Sequence, residues 1–409
     1  MPRTLRRTSG LLAASLTLLG SALVAAPAPS VAEVAVDFYT PPTSLAGAVP
    51  GDVVKEEHTV VKAEPTGLIG VPVTARRMMY VSTNRAGEAV AVTGTVLTPV
   101  ARWSGRGERP VVGYAVGTQG LADRCAPSKQ MALGTEYEMP FIELMLAKGW
   151  SLVITDYPGL GTPGDHPYVQ RVDLGHAVLD AVRAARNLST GGVSRTAPVV
   201  ISGYSEGGTA AAGALELQPT YAPDVQPVAG FVGAAAADFV MLAHHLEGNL
   251  QSFLLGYTTI GLRVSRPDLP IDSSLSAYGK QRFARLNDTC IPDAIATQQY
   301  FPTRKMTTDG STIEELTARP EFAAALADMK LGRTAPTVPV MLGHSVLDEV
   351  LPYRQAVNLN RDWCARGGQV KFVPTLVPEH IGGSIGLYPA AVTFLDDRLK
   401  GKPFVSTCR

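Results

Sequence analysis

Short, continuously apolar runs recur through the middle and the end of the chain, with helical stretches between them. Such runs are typical of strands buried on both faces, whereas half-buried strands alternate apolar and polar positions. The runs that predict strands are residues 110–115, 151–155, 198–202, 228–235, 338–342 and 370–373. Their alternation with helices predicts an α/β fold with a mostly parallel central sheet.

The chain before and between these runs follows other patterns. Residues 33–70 are rich in Pro, Ala and Val and predict an irregular arm. Residues 74–82 and 89–98 are rich in β-forming side chains and flank a turn at residues 84–87, which predicts a hairpin. The helices predicted between the apolar runs are residues 139–148, residues 173–188 and an Ala-rich helix that ends near Leu217.

The strand–helix alternation stops between Asp238 and Ala335 and resumes afterwards. The pattern in this stretch is mainly helical, with loops rich in Pro, Asp and Ser. We therefore predict a core in two parts, residues 33–238 and 336–409, with a helical cap inserted at residues 239–335.

The first 32 residues have the pattern of a targeting segment. Arg3, Arg6 and Arg7 precede a short apolar stretch, and small residues follow near Ala28 and Ala32. This order is typical of a secretory signal peptide, and the apolar stretch is shorter than the roughly 20 residues that a membrane span needs. We expect export, removal of residues 1–32 and no integral membrane span.

The charge of the mature chain is nearly balanced. Three of the 36 basic side chains and none of the 36 acidic ones lie in residues 1–32, so 33 basic residues remain against 36 acidic ones. No run of like charge stands out. This balance argues against nucleic acid as a partner, and we expect a monomer that acts on a small-molecule or lipid substrate.

Four cysteines remain after export: Cys125, Cys290, Cys364 and Cys408. An even number in an exported chain favours two disulfides over free thiols, and all three connectivities stay open at this point. The chain has no C-x-x-C, no H-E-x-x-H and no P-loop pattern. We therefore expect neither a metal ion nor a cofactor.

The pattern G-x-S-x-G occurs twice, around Ser205 and around Ser384. A nucleophilic serine in this pattern lies on a sharp turn between a buried strand and a helix, which exposes its hydroxyl. Ser205 follows the strand PVVIS and precedes the Ala-rich helix. Ser384 follows no strand directly and has no histidine after it, so we assign it to a Gly-rich structural loop. Ser205 is the candidate nucleophile.

A serine hydroxyl needs a histidine to accept its proton and a carboxylate to hold that histidine. On this type of fold the chain order is serine, acid, histidine. His380 lies in a loop after the last strand, where the base is expected, and Asp348 follows the preceding strand directly. Glu349 is the second choice for the acid, and Asp238 is a distant third.

Two backbone N–H groups are also needed to stabilise the oxyanion that forms during acyl transfer. One is expected from Glu206, which follows the nucleophile, and the other from the Gly-bracketed loop at residues 116–120. Residues 159–164 match the dinucleotide pattern G-x-G-x-x-G. Because prolines delay the next helix to about Val172, we interpret this segment as a turn rather than a cofactor site.

Several segments together resemble the secretory lipase family of fungi and actinobacteria. They are GTQGLADRCAPS (117–128), DYPGLG (156–161), GYSEGG (203–208), LDEVLP (347–352) and PEHIGG (378–383). The resemblance spans roughly residues 40–400. It implies an α/β-hydrolase fold, a helical cap between nucleophile and acid, and hydrolysis of acyl esters.

The resemblance also implies roles for individual residues. Ser205, Asp348 and His380 match the family's catalytic positions. The oxyanion position falls on Gln119, where fungal members carry Asp, so the role of this side chain is open. The family's cysteines imply the pairs Cys125–Cys290 and Cys364–Cys408.

Three functional hypotheses follow. The first is a secreted lipase or carboxylesterase, for which residues 253–262 of the cap line an acyl tunnel, face a transient lipid interface or form ordinary core. The second keeps the same catalytic residues but cleaves peptides. The third is an exported binding protein whose site is vestigial.

Overall fold

The computed structural model describes residues 37–408, so the predicted signal peptide at residues 1–32 lies outside the described residues. Within the described range the strands form a single sheet. They are β1 (Val53–His58), β2 (Val73–Thr83), β3 (Ala89–Pro99), β4 (Val111–Ala115), β5 (Ser151–Thr155), β6 (Val199–Tyr204), β7 (Pro227–Gly233), β8 (Val340–Ser345) and β9 (Val370–Thr375).

The sheet has the order β1-β2-β3-β5-β4-β6-β7-β8-β9. Strands β1, β2 and β3 pair antiparallel, and β3 is antiparallel to β5. Every pair from β5 to β9 along the sheet is parallel. All residues of β4, β5, β6 and β8 are buried, which explains why these strands are continuously apolar in sequence. The predicted α/β class with a mostly parallel sheet is confirmed.

The N-terminal strands confirm one prediction and correct another. The predicted hairpin is present as β2 and β3, paired from Val73–Pro99 to Thr83–Ala89. The prediction of an irregular arm over residues 33–70 is wrong for Val53–His58, which forms β1 at the sheet edge. This strand, VVKEEH, is only partly buried, so its sequence lacks the apolar pattern of the inner strands.

Helices cover the sheet and fill the stretch between β7 and β8. Those outside that stretch are α1 (Pro127–Leu133), α2 (Met139–Leu146), α3 (Arg171–Asn187), α4 (Glu206–Tyr221), α13 (Arg354–Ala365) and α14 (His380–Leu399). Those inside it are α5 (Phe239–Leu246), α6 (Phe253–Ser265), α7 (Ile271–Ser274), α8 (Ala277–Asn287), α9 (Ile291–Thr297), α10 (Thr303–Met306), α11 (Ile313–Ala318) and α12 (Pro320–Met329).

Helix α14 corrects two local predictions. His380 is the first residue of this helix rather than part of a loop, and Ser384 lies in its second turn rather than in a Gly-rich loop. Glycine disfavours helix when exposed, but tertiary packing outweighs that preference here. Leu387, Tyr388 and Ala391 of the same helix are fully buried against the sheet.

Candidate active site

Ser205 lies on the tight turn between β6 and α4, and its backbone has the positive φ of 61°. A non-glycine residue rarely adopts this conformation, and here it directs the residue out of the sheet. Gly203 and Gly207, on either side of Ser205, each lie too close to a backbone carbonyl to carry a side chain. A β-carbon at Gly203 would collide with the carbonyl of Gly207, and one at Gly207 would collide with the carbonyl of Ala115. The turn therefore depends on both glycines of the pentapeptide.

The structure brings Ser205, His380 and Asp348 into contact, although they are far apart in sequence. His380 Nε2 lies 2.8 Å from Ser205 Oγ. His380 Nδ1 lies 2.8 Å from Asp348 Oδ2. Because a carboxylate only accepts hydrogen bonds, Nδ1 carries the proton and Nε2 is free to accept one from the serine hydroxyl. This arrangement can convert a serine hydroxyl into a nucleophile.

Asp348 is held as an anion by several donors. Its Oδ1 accepts hydrogen bonds from the backbone N–H groups of Val350 at 2.9 Å and Leu351 at 2.8 Å. His344 Nε2 lies 3.3 Å from Asp348 Oδ2. Burial alone would raise the pKa of Asp348, but the adjacent His380 and His344 outweigh it and lower the pKa below its ordinary value.

The alternative acids and the second serine have other contacts. Glu349 Oε2 accepts a hydrogen bond from the backbone N–H of His380 at 2.9 Å, so it holds the main chain of the histidine rather than its ring. Asp238 caps α5 by accepting from the N–H of Met241 at 3.1 Å. Ser384 Oγ donates to the carbonyl of Ile381 at 2.6 Å, within its own helix.

Two backbone amides near Ser205 are candidates for oxyanion binding. Within residues 37–408, neither the N–H of Gln119 nor that of Glu206 has a hydrogen-bond acceptor. The loop that carries Gln119 lies against the turn of Ser205, because a β-carbon at Gly117 would lie 3.5 Å from the carbonyl of Tyr204. Both free amides therefore belong to segments that meet at the nucleophile.

The side chain of Gln119 is fully buried and has three hydrogen-bond partners. Its Nε2 donates to Glu136 Oε1 at 3.1 Å and to the carbonyl of Gly117 at 3.3 Å, and its Oε1 accepts from Gln130 Nε2 at 2.6 Å. Burial raises the pKa of Glu136 to about 7. Burial and then the neighbouring Glu136 raise the pKa of Glu138 to about 8. The side chain thus anchors the loop and leaves the main-chain N–H free.

Three contacts around the site were missed by the sequence analysis. His344 contacts Asp348, Tyr204 donates its hydroxyl to the carbonyl of His380 at 2.7 Å, and His166 contacts Glu206. The last two pairs join positions that are 176 and 40 residues apart. Only the fold brings these groups together, and no local motif signals them.

The four cysteines form two disulfides, Cys125–Cys290 and Cys364–Cys408, the pairs that the family resemblance implies. The first joins the segment after Gln119 to the start of α9. Beside it, Gly120 pairs with Cys290 as an isolated bridge, and the carbonyl of Gln119 accepts from the N–H of Ile291 at 2.9 Å. The candidate oxyanion loop is therefore attached to the helical segment between β7 and β8.

Residues 253–262 divide between the core and the wall of a cavity. Phe253, Tyr257 and Ile260 are buried in the core. Leu255 and Leu262 line a cavity of about 110 Å³ between the helices. The rest of its lining is Phe239, Leu242, Ala243, Thr258, Thr259, Ile271, Ser274, Leu275, Thr307, Ile313, Leu316, Thr317, Phe322 and Leu326.

Metal sites and membrane spans were sought across residues 37–408. In this range no group of three or more His, Cys, Asp or Glu side chains is arranged to hold a metal ion. None of the helices described there is long and apolar enough to cross a membrane.

Comparison with known proteins finds relatives that are named as lipases. A model of the secretory lipase family matches residues 125–407. A Mycobacterium tuberculosis protein named as a probable inactive lipase is 30% identical, over 90% of this chain and 82% of that protein. A secreted triacylglycerol lipase of Malassezia globosa is 27% identical, over 91% of this chain and 80% of its own length.

Lipase A of Candida antarctica in its closed state is similar in structure. The two superpose with a TM-score of 0.78 at 22% identity, over 90% of this chain and 87% of that one. At this identity the likeness shows the fold, which is that of the α/β-hydrolases. With the family model matching well over half of its residues, the chain belongs to the secretory lipase family.

Proposed function

We propose that the protein is an exported ester hydrolase, a lipase or carboxylesterase, with Ser205 as its nucleophile. The observation that carries the proposal is the unbroken set of contacts from Ser205 Oγ to His380 to Asp348, on a turn that has two free backbone amides beside it. Family membership supports the same reaction type.

In the proposed reaction, Ser205 Oγ attacks the ester carbonyl while His380 Nε2 takes its proton. Asp348 stabilises the resulting imidazolium, and the N–H groups of Gln119 and Glu206 bind the negative oxygen of the tetrahedral intermediate. His380 then gives the proton to the departing alcohol. Water repeats the steps on the acyl-enzyme and releases the acid.

One observation favours a second candidate, a non-catalytic member of the family. The relative from Mycobacterium tuberculosis is named as a probable inactive lipase. Labelling with a fluorophosphonate, which reacts with an activated serine, separates the two candidates. We expect the wild-type protein to be labelled and Ser205→Ala not to be labelled.

The second G-x-S-x-G serine provides a matched control for that experiment. Ser384→Ala removes a hydroxyl from the same pentapeptide pattern, but from a residue inside α14. We expect this variant to be labelled like the wild type. Absence of labelling in the wild type, or equal labelling of Ser205→Ala, would remove Ser205 as nucleophile.

We further propose that the substrate is an acyl ester rather than a peptide. Family membership supports an ester substrate, and we assign the helices between β7 and β8 as the predicted cap. These helices surround a mostly apolar cavity, whose lining includes none of Ser205, Gln119 and His380. Side-by-side assays on p-nitrophenyl esters and aminoacyl anilides test this assignment. Faster turnover of anilides than of esters would overturn it. An ester series of increasing chain length then identifies the preferred acyl group.

Export is the remaining part of the proposal. The two disulfides and the relatives named as secreted lipases are consistent with an extracellular location. N-terminal sequencing of the protein recovered from the culture medium tests it, with cleavage expected near residue 32.

A further inference from the structure

The loop between β5 and α3, residues 156–170, contacts both segments that carry the free amides. At one end, the Tyr157 hydroxyl donates to the carbonyl of Val116 at 2.9 Å. At the other end, the Tyr168 hydroxyl lies 2.9 Å from Thr118 Oγ1. Val116 lies three residues before Gln119, and Thr118 precedes it directly. The loop therefore holds the strand-to-loop segment that presents the Gln119 N–H.

The same loop holds the residue that carries the other amide. His166 Nε2 lies 2.7 Å from Glu206 Oε1, and both side chains are almost fully buried. A glutamate in the first turn of a surface helix is ordinarily solvated. Here it points inward, and His166 is its hydrogen-bond partner. The position of Glu206 is thereby tied to the loop.

The protonation of this pair follows from its geometry. His166 Nδ1 lies 2.9 Å from the carbonyl of Pro158, which can only accept, so Nδ1 carries a proton. The contact of 2.7 Å between Nε2 and the Glu206 carboxyl needs one more proton between the two atoms. The pair is therefore neutral as a whole, which suits its buried position.

Two aromatic rings also pack against the imidazole of His166. Tyr157 stacks on it with centroids 5.7 Å apart, and Tyr168 meets it edge-on at 6.2 Å. These are the same two tyrosines that bind the segment before Gln119. One compact unit, Tyr157–His166–Tyr168, thus contacts both sides of the candidate oxyanion site.

We propose that the β5–α3 loop is a brace that sets the spacing of the two oxyanion amides, with His166 as its central positioning residue. This inference rests on the proposed function. His166 touches no reacting atom and acts by fixing Glu206, while Tyr157 and Tyr168 fix the segment that leads to Gln119. Oxyanion donors are effective only when they are held in place before the charge develops.

The first glycine of the G-x-G-x-x-G pattern at residues 159–164, Gly159, shapes the brace. Gly159 has a φ of 72°, and a β-carbon there would collide with the carbonyl of Asp165. The glycine lets the loop fold back on itself, which brings His166 into contact with Tyr157 and Tyr168. The backbone conformation and the close approach to Asp165 thus both require glycine at position 159.

The test compares kcat and KM of single variants on a soluble short-chain p-nitrophenyl ester. His166→Phe keeps an aromatic ring and loses the bond to Glu206. Removal of a whole oxyanion donor lowers kcat by roughly 10²–10³-fold, so displacement of one should lower it by about 30- to 100-fold. We expect KM to change less than about threefold, because the oxyanion forms after the substrate binds.

Two further variants separate positioning from general damage. His166→Gln can keep a donor near the place of Nε2, and we expect it to recover at least about fivefold of the lost kcat. His176→Phe is the matched control, because His176 is also buried, lies 2.9 Å from a backbone carbonyl and stacks on Tyr221. We expect it to lower the melting temperature while kcat stays within about twofold of the wild type.

The outcomes are distinguishable. If the wild type hydrolyses the ester and His166→Phe keeps kcat within threefold, the brace is overturned and the proposed function stands. An equal loss of kcat in His176→Phe, or a loss confined to KM, also overturns it. A wild type without Ser205-dependent turnover overturns both proposals. Tyr157→Phe, which removes only the hydroxyl on Val116, should lower kcat about fivefold, and it supplies the test if His166→Phe does not fold.

Discussion

Two buried histidine–carboxylate pairs lie at neighbouring positions of the nucleophile turn. The pair His380–Asp348 contacts Ser205, and the pair His166–Glu206 includes the next residue of the chain. Their histidine-to-carboxylate distances are nearly equal, 2.8 Å and 2.7 Å. They differ in what the other ring nitrogen faces. In the first pair it faces the Ser205 hydroxyl at 2.8 Å, and in the second it faces the Pro158 carbonyl at 2.9 Å.

This difference separates a pair that can move a proton from one that can only hold a position. A hydroxyl can give its proton to an imidazole nitrogen, whereas a carbonyl can only accept a hydrogen bond. The carboxylates differ as well. Asp348 accepts from two backbone amides besides the histidine, which favours its anionic form, while Glu206 Oε1 has His166 as its partner. The second ring nitrogen thus indicates the role of each pair.

The largest expected effect comes from exchanging the acid of the first pair for its amide. In Asp348→Asn, the side-chain NH₂ donates to His380 Nδ1 and forces the ring proton onto Nε2, which then cannot accept from Ser205. We expect kcat to fall by roughly 10⁴-fold, the loss that a wrong histidine tautomer causes in a serine triad.

Glu349→Gln is the control for that variant, because its side chain binds the main chain of His380 rather than the ring. An amide oxygen can still accept from that N–H, so we expect less than about a tenfold loss. Steady-state hydrolysis of a soluble ester measures both. A decrease of less than tenfold in Asp348→Asn would contradict the assignment of Asp348 as the acid.

The same exchange in the second pair should have a much smaller effect. In Glu206→Gln, the new NH₂ can donate to His166 Nε2 while Nδ1–H stays on the Pro158 carbonyl. The bond survives, and we expect kcat to fall by less than about tenfold. Glu206→Met has a side chain of similar size that cannot hydrogen-bond to His166 Nε2. We therefore expect its kcat to fall by about as much as that of His166→Phe. Equal activity of the Gln and Met variants would contradict the hydrogen-bonded arrangement of this pair.

The sequence predicts the sheet well where burial leaves a repeated pattern. Strands β4, β5, β6 and β8 are buried throughout, so their apolar runs are visible without any partner. The edge strand β1 has no such run, because most of its residues are only half-buried. Helix α14 begins with a Gly-rich stretch, and it is helical because its later residues pack on the sheet.

The candidate site likewise has one part that the sequence predicts and one part that it does not. Ser205, Asp348 and His380 could be predicted as the catalytic set because each follows a recognisable strand in the required chain order. The pair His166–Glu206 lies in a loop whose path depends on glycine conformation and ring packing, and neither leaves a period in the sequence. Contacts between loops therefore had to come from the structure.

The smallest expected effect concerns His344, which adds a third contact to the first pair. His344 Nε2 lies 3.0 Å from the carbonyl of Leu351 and 3.3 Å from Asp348 Oδ2, so this nitrogen carries a proton and helps to stabilise the carboxylate. In His344→Phe, we expect kcat at neutral pH to fall by less than about fivefold, because His380 keeps its own bond to Asp348.

Stability should respond to His344→Phe in a pH-dependent way. The pKa of Asp348 is lower in the folded chain than in the unfolded one, so ionised Asp348 stabilises the fold above pH about 4, and this contribution is lost as the pH falls further. Losing His344 raises that pKa and reduces the contribution. Urea unfolding should therefore show a free energy of unfolding lower by about 1–3 kcal/mol at pH 7, and this difference should decline only as the pH falls through the low folded-state pKa of Asp348. A difference that does not decline in that acid range would mean that His344 acts only through packing, and that Asp348 depends on His380 and the two backbone amides alone.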